Sequence, residues 1–148
     1  MAGDIVLGYD GSDGSKAALA AAVGVAKAFD AHLVIVFGYE PNPMGGETAD
    51  YKQLLENMGN NFVGEAVSAA RALDPSVPVE PIVTALRPVE SLLEAAKERD
   101  ARVIVVGGTG EAPIVGAILG SVPNKLLHRS TVPVLVVPAD KDAGRTKR

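Results

Sequence analysis

Short runs of apolar, mostly β-branched residues recur along this chain, and each run is separated from the next by a longer stretch with a helical pattern. This alternation is typical of a parallel α/β sheet, because parallel strands are joined by crossover connections that are usually helices. Residues 32–39 (HLVIVFGY) are too continuously apolar for a strand with a solvated face, which indicates burial between two layers of helices. The pattern predicts an α/β fold with a single doubly wound, five-stranded parallel sheet and helices on both faces.

The predicted element order is β-α-β-α-β-α-β-α-β. Strands are expected at residues 4–9, 32–39, 77–83, 103–106 and 134–137, and helices at residues 15–29, 48–73, 88–99 and 121–129. Pro78 and Pro81 interrupt the third strand, which favours a position at the edge of the sheet. The chain has no repeat or linker, so we expect one domain over residues 1–148, with a core at 4–138 and a flexible tail at 139–148.

The composition excludes several classes of protein. With 47% hydrophobic and 22% charged residues, the chain is globular rather than disordered. A net charge of −4 argues against a sequence-independent nucleic-acid binder. The absence of cysteine removes disulfides and thiol catalysis. No apolar run approaches the roughly 18–20 residues of a membrane span, and the amino terminus lacks the layout of a signal peptide. We therefore expect a cytoplasmic protein that binds neither nucleic acid nor membrane.

A glycine-rich turn follows the fourth predicted strand. Gly107-Gly108-Thr109-Gly110 is followed by nine residues and then by Gly120-Ser121, which opens the next helix. Such a turn exposes backbone N–H groups that can bind a phosphate, and glycine lets a ligand approach the main chain without meeting a Cβ. Ser121 is expected to cap the helix and to offer its hydroxyl to the phosphate, with Pro123 in the first turn. The turn therefore predicts a phosphate site.

The spacing G-x2-G-x9-G-[ST] of this turn resembles the ATP-binding signature of the universal stress protein family. The resemblance runs from Ile5 to about Pro138, and it includes Asp10-Gly11-Ser12 after the first strand and the closing strand within residues 131–138. It implies a Rossmann-like, adenine nucleotide alpha hydrolase-like fold with strand order 3-2-1-4-5. Ligands of such sheets bind past the carboxyl ends of the strands where the winding reverses, here between strands one and four. Asp10 and the glycine-rich turn should therefore lie side by side.

The resemblance implies an adenine-nucleotide site in that crevice, in which Asp10 binds the ribose hydroxyls and Gly38 contacts adenine through backbone atoms. The residues expected to bind the nucleotide are Asp10, Gly11, Ser12, Gly38, Gly107, Gly108, Thr109, Gly110, Gly120, Ser121 and Val122. Simpler structural roles stay open, because Asp10 can start a turn and cap the following helix, and the glycines can form a surface loop. Arg87 is either a phosphate contact or a solvated arginine, and both histidines are expected to be structural or surface residues.

The identity of the nucleotide is open between ATP, ADP, AMP and cyclic AMP, with Mg²⁺ as a companion of ATP and no metal ligand assigned. Many family members have a basic or imidazole side chain between the first two motif glycines, where this chain has Gly108-Thr109. Glu111 would repel a γ-phosphate if it pointed inward. Gly120-Ser121-Val122 and Pro123, together with residues 81–83 (PIV), resemble a mycobacterial-type subgroup whose members favour cyclic AMP.

Other nucleotide-dependent classes fit the sequence poorly. A dinucleotide-binding oxidoreductase needs G-x-G-x-x-G after the first strand, but this chain has Gly8, Gly11 and Gly14 there. A P-loop NTPase needs a lysine directly after the last glycine of its motif, and no lysine follows Gly120 in this chain. We assign no catalytic residue and expect at most slow ATP hydrolysis. The predicted function is that of an adenine-nucleotide-binding regulatory protein of the stress response, with a non-nucleotide interaction module of the same fold as the alternative.

The fifth strand is expected to form a homodimer. Residues 134–137 (VLVV) are apolar on both faces and lie at a sheet edge in the order 3-2-1-4-5, where unpaired backbone groups invite another chain. Pairing with a second copy across a two-fold axis would satisfy those groups, as the resemblance also implies. The alternative is an edge covered by residues 139–148, which are polar and charged.

Overall fold

A computed structural model describes residues 3–40, 49–108 and 121–139 of the chain. Strands and helices alternate through these ranges as the sequence predicts. The strands are β1 (Ile5–Gly8), β2 (Leu33–Gly38), β3 (Val79–Thr84), β4 (Val103–Gly107) and β5 (Val134–Val137). The helices are α1 (Asp13–Phe29), α2 (Ala49–Leu73), α3 (Pro88–Glu98) and α4 (Ser121–Arg129).

The strands form one parallel sheet with the order β3-β2-β1-β4-β5, which confirms the predicted fold class and topology. In the centre of the sheet, Val6 of β1 lies between Val34 of β2 and Ile104 of β4. Strands β2 and β3 add to one side of β1, and β4 and β5 add to the other side, so the direction of winding reverses between β1 and β4. This reversal places the carboxyl ends of β1 and β4 next to each other.

The core has two layers, one on each face of the sheet. Ile5 and Leu7 pack on the face covered by α1 and α2, whereas Val6 packs on the face covered by α3 and α4. All three side chains are completely buried. Burying each such side chain stabilises the fold by roughly 1.5–3 kcal/mol, which fits the absence of polar residues from β1, β2 and β4.

Several element boundaries differ from the prediction for local reasons. Helix α1 begins at Asp13 rather than at Ser15, because the Ser12 hydroxyl caps it by accepting the Ser15 N–H at 3.2 Å. Strand β3 begins at Val79, after Pro78, and continues to Thr84. It lies at the edge of the sheet, as its prolines predict.

Helix α2 runs without interruption through Gly59, although glycine in a helix interior costs about 1 kcal/mol relative to alanine. A Cβ at Gly59 would lie 2.7 Å from the Phe37 ring and 2.8 Å from a methyl group of Val83. The missing side chain therefore lets α2 pack closely against the carboxyl ends of β2 and β3.

Within the described ranges, no helix combines the length and the apolar composition needed to cross a bilayer. The tail expected at 139–148 lies outside the described residues from position 140 onward.

Candidate functional site

A cavity of about 260 Å³ lies past the carboxyl ends of β1, β2 and β4. Its walls come from the turn after β1, the end of β2, and the first turns of α3 and α4. This position is the point where the winding reverses, which is where open α/β sheets bind ligands. Six of the residues predicted from the sequence line it, namely Asp10, Ser12, Gly38, Gly107, Ser121 and Val122. Thr109, Gly110 and Gly120 lie outside the described residues.

Asp10 is exposed and lines the cavity. Its Oδ1 accepts the Ser12 N–H at 3.0 Å and holds the turn, while Ser12, rather than Asp10, caps α1. Asp10 therefore starts the turn, as one of its two predicted structural roles requires, but it does not cap the helix. A carboxylate can accept several hydrogen bonds, so this turn leaves Asp10 able to accept others from a ligand.

Gly11 has a role in the turn rather than in the wall of the cavity. Its φ angle of 84° lies in the left-handed region, and a Cβ would lie 2.6 Å from the Phe62 ring of α2. The Phe62 ring in turn packs against Phe37, with 5.6 Å between the ring centroids. Gly11 thus allows the Asp10 turn to sit directly beneath an aromatic side chain of α2.

The glycines at the end of β4 have packing roles that the sequence did not reveal. A Cβ at Gly107 would lie 2.7 Å from the carbonyl group of Gly14, so glycine is needed here for β4 to approach the first turn of α1. The Gly108 N–H donates to the Val137 carbonyl at 2.8 Å, which extends the pairing of β4 with β5. This N–H group is therefore already used and does not point to a phosphate.

Gly38 ends β2 and also lines the cavity. A Cβ on Gly38 would meet the Ser91 Oγ and would lie 2.6 Å from the Leu86 carbonyl oxygen. Ser91, on the first turns of α3, is buried and lines the cavity, and its hydroxyl donates to the Pro88 carbonyl at 2.7 Å. Sequence reasoning missed Ser91, although a lone serine on the apolar face of a helix was a signal that could have found it.

The first turn of α4 forms the remaining wall, with Ser121 and Val122 beside the buried Pro123. The first N–H groups of a helix have no partner within the helix, and the helix dipole makes this end positive. An anion in the cavity next to this turn would be stabilised for both reasons. The remainder of the lining is largely apolar and includes Val36, Leu92 and Val106.

Ionisable groups near the cavity are few among the described residues. Burial raises the pKa of Tyr9, which lines the cavity, and the nearby Glu65 carboxylate raises it further, so the phenol stays neutral. Arg87 forms an exposed ion pair with Glu40 at 3.2 Å, which fits the solvated interpretation of Arg87.

The described ranges contain no group of three His, Asp or Glu side chains that could hold a metal ion. His32 is exposed, and the His128 Nδ1 lies 2.9 Å from the Asn124 carbonyl oxygen in its own helix. Both histidines are thus surface residues. The binding of Mg²⁺ together with ATP stays a prediction.

This chain is similar in sequence and in fold to known proteins. The model of the universal stress protein family matches residues 1–138. Universal stress protein Rv1636 of Mycobacterium tuberculosis is 36% identical over 143 residues, which cover 90% of this chain and 94% of that protein. A crystal structure of a universal stress protein in complex with cAMP is 33% identical with a TM-score of 0.67, covering 95% of this chain and 100% of that one. A universal stress protein structure from Archaeoglobus fulgidus, 24% identical, shares the fold with a TM-score of 0.74 and covers 93% of this chain and 99% of that one.

Proposed function

This chain belongs to the universal stress protein family, and from that membership and the geometry of the cavity we propose that it is a regulatory protein that binds an adenine nucleotide. The observation that carries the proposal is the meeting of the Asp10 turn, the end of β2 and the first turn of α4 around one cavity. These three elements are separated in the sequence, and the strand order of the parallel sheet brings them together.

The chemistry of the lining fits the three parts of a nucleotide. Val36, Leu92 and Val106 offer an apolar surface to a purine ring. Asp10 offers a carboxylate to ribose hydroxyls, and the amino terminus of α4 offers N–H groups to a phosphate. The glycine motif, including Thr109, Gly110 and Gly120, is proposed as the remaining part of the phosphate site on the strength of its spacing.

Cyclic AMP is the second candidate ligand, and two observations favour it. The 33% identical structure described above was solved in complex with cAMP. In addition, Glu111 in the glycine motif would oppose the charge of a triphosphate more strongly than that of a cyclic monophosphate. ATP, ADP or AMP, with Mg²⁺ accompanying ATP, is the alternative within the same site, and any hydrolysis of ATP is expected to be slow. Location in the cytoplasm stays a prediction of the sequence.

The test is the melting temperature of the purified protein with ATP, ADP, AMP, cyclic AMP and GTP. A ligand that binds only the folded state at a hundredfold excess over its Kd adds about 2.7 kcal/mol of stability, which for a chain of this size raises Tm by roughly 5–10 °C. We expect at least one adenine nucleotide to give this shift and GTP to give much less. Equal, flat curves for all five would contradict the proposal and favour an interaction module without a nucleotide.

We further propose that the protein forms a homodimer through β5. This strand lies at the edge of the sheet, opposite to β3. Leu135 in its middle is 39% exposed, whereas Val134 and Val136 pack towards the core. Pairing two copies of β5 would cover Leu135 and satisfy the unpaired backbone groups of the edge.

A further inference from the structure

The cavity contains an unusual concentration of buried polar side chains. Ser15 and Ser91 are the buried polar residues of the described ranges, at 5% and 3% exposure, and both line the cavity. Both side chains are therefore placed where a ligand in the cavity would meet them.

The hydrogen of each hydroxyl is already committed. The Ser91 hydroxyl donates to the Pro88 carbonyl at 2.7 Å, and the Ser15 hydroxyl donates to the Ser12 carbonyl at 3.0 Å. A carbonyl oxygen can only accept, and a hydroxyl has a single hydrogen, so both groups retain only acceptor capacity. Ser15 uses part of it, since its Oγ accepts the Asp10 N–H at 3.4 Å.

Ser91 lies beside the end of β2. Its Oγ packs against Gly38, where the absence of a Cβ leaves room for it. The neighbouring lining residues Val36, Leu92 and Val106 have no polar side-chain atoms. Ser91 is thus a buried side chain of the lining that can accept a hydrogen bond from a ligand.

We propose that Ser91 selects the purine base by accepting a hydrogen bond from the 6-amino group of adenine and by disfavouring a 6-oxo group. The inference rests on the proposed function, because it assigns the base to Ser91 and Gly38 and the ribose to Asp10. A 6-oxo oxygen is itself an acceptor, so the Ser91 hydroxyl could donate to it only by giving up its bond to Pro88. A 6-oxo group therefore gains no hydrogen bond in total, whereas a 6-amino group gains one.

Calorimetric titration of the full chain with three nucleotides tests this assignment. AMP has a 6-amino group, IMP has a 6-oxo group, and purine riboside 5′-monophosphate has neither. We expect the wild type to bind AMP more tightly than IMP. Ser91→Ala should weaken AMP binding about 2- to 10-fold, reduce the preference for AMP over IMP, and leave the affinity for purine riboside 5′-monophosphate within about twofold. Cyclic AMP and cyclic IMP serve as a parallel pair if the protein prefers cyclic nucleotides.

Ser68→Ala on the exposed face of α2 is the matched control and should change none of these affinities. If Ser91→Ala fails to fold, Ser91→Cys keeps a group of similar size and replaces the oxygen by a weak sulfur acceptor, so the same loss of preference is expected. A variant with the wild-type ratio of AMP to IMP affinity would overturn the role of Ser91 and leave the proposed function intact. A wild type that binds no adenine nucleotide would overturn both.

Discussion

At the scale of single residues, glycines in this chain serve two different purposes that the sequence does not separate. The motif spacing predicts that a ligand contacts the backbone at Gly107. The structure shows that the missing side chain of Gly107 makes room for Gly14 of α1. Gly38 is constrained in the same way by Ser91 and by the Leu86 carbonyl. Both glycines line the cavity as the sequence predicts, but the physical reason for each depends on packing partners distant in the chain.

Substituting Gly38 by alanine is predicted to destabilise the fold, because the new Cβ would meet the Ser91 Oγ and the backbone oxygen of Leu86. Overpacking of this kind costs about 1–3 kcal/mol. Gly24→Ala is the control, since Gly24 lies in α1 with no atom within 4 Å of its would-be Cβ, and it should raise the free energy of unfolding by roughly 0.5–1 kcal/mol. Urea unfolding followed by circular dichroism measures both variants. Equal stabilities for the two would contradict the packing argument.

At the scale of elements, the sequence predicted every strand and helix, and the errors lie at their ends. The bounds of α4 and β5 agree with the prediction, because Ser121 and Pro133 mark the starts of these elements clearly. The predicted start of α1 was wrong by two residues, because the start depends on the Ser12 hydroxyl accepting the Ser15 N–H. The convergence of Asp10 and Gly107 could be predicted because it follows from strand order alone. The serine on the apolar face of α3 was a signal for Ser91, but its position against Gly38 depends on how α3 packs on β2.

An ion-pair cluster ties three elements together at the amino end of the sheet. Arg99, after α3, donates two hydrogen bonds to the Glu80 carboxylate of β3 and a third, at 3.4 Å, to Asp4 before β1. The Arg99 guanidinium holds the pKa of Glu80 below its ordinary value of 4.5. A carboxylate with a lowered pKa contributes stability that is present above the pKa of the unfolded state and is lost as the pH falls through the folded-state pKa.

Stability is therefore predicted to fall as the pH is lowered from about 5 to 3, and Arg99→Met should make this fall smaller. The effect at neutral pH should be at most about 1 kcal/mol, because the Glu80 side chain is 49% exposed and solvent screens the pair. Arg71→Met, at an exposed position in the last turn of α2, is the control and should keep the wild-type pH dependence. Urea unfolding at several pH values provides the measurement. A wild-type pH profile in Arg99→Met would show that the cluster contributes nothing.

At the scale of the whole molecule, the two edges of the sheet differ in how they meet solvent. Edge strand β3 has Pro81 within it and charged Glu80 beside it, features that protect an edge from pairing with another chain. Edge strand β5 has the sequence VLVV without a charge or an internal proline. This asymmetry favours association through β5 and not through β3.

Sedimentation should accordingly report twice the chain mass of 15.2 kDa. Leu135→Lys should shift the protein towards the monomer, because it places a charge on the exposed side chain of β5 while leaving the core-facing valines in place. Leu73→Lys is the control, since Leu73 is also exposed, at 56%, but lies at the end of α2. A monomeric wild type would contradict the proposed dimer. A dimer that Leu135→Lys does not weaken would show that the interface does not include β5.

The central claim is that an adenine nucleotide binds in the cavity between β1 and β4, and titration of the ¹⁵N-labelled protein with AMP and with cyclic AMP tests it most directly. We predict saturable shifts of the backbone amide signals of Asp10, Gly38, Gly107 and Val122, which line the cavity. The amides of Val79 and Glu80, at the opposite end of the sheet, should stay unchanged, and GMP should cause much smaller shifts. Spectra that do not change with either adenine nucleotide, or changes confined to residues outside the cavity, would contradict the account.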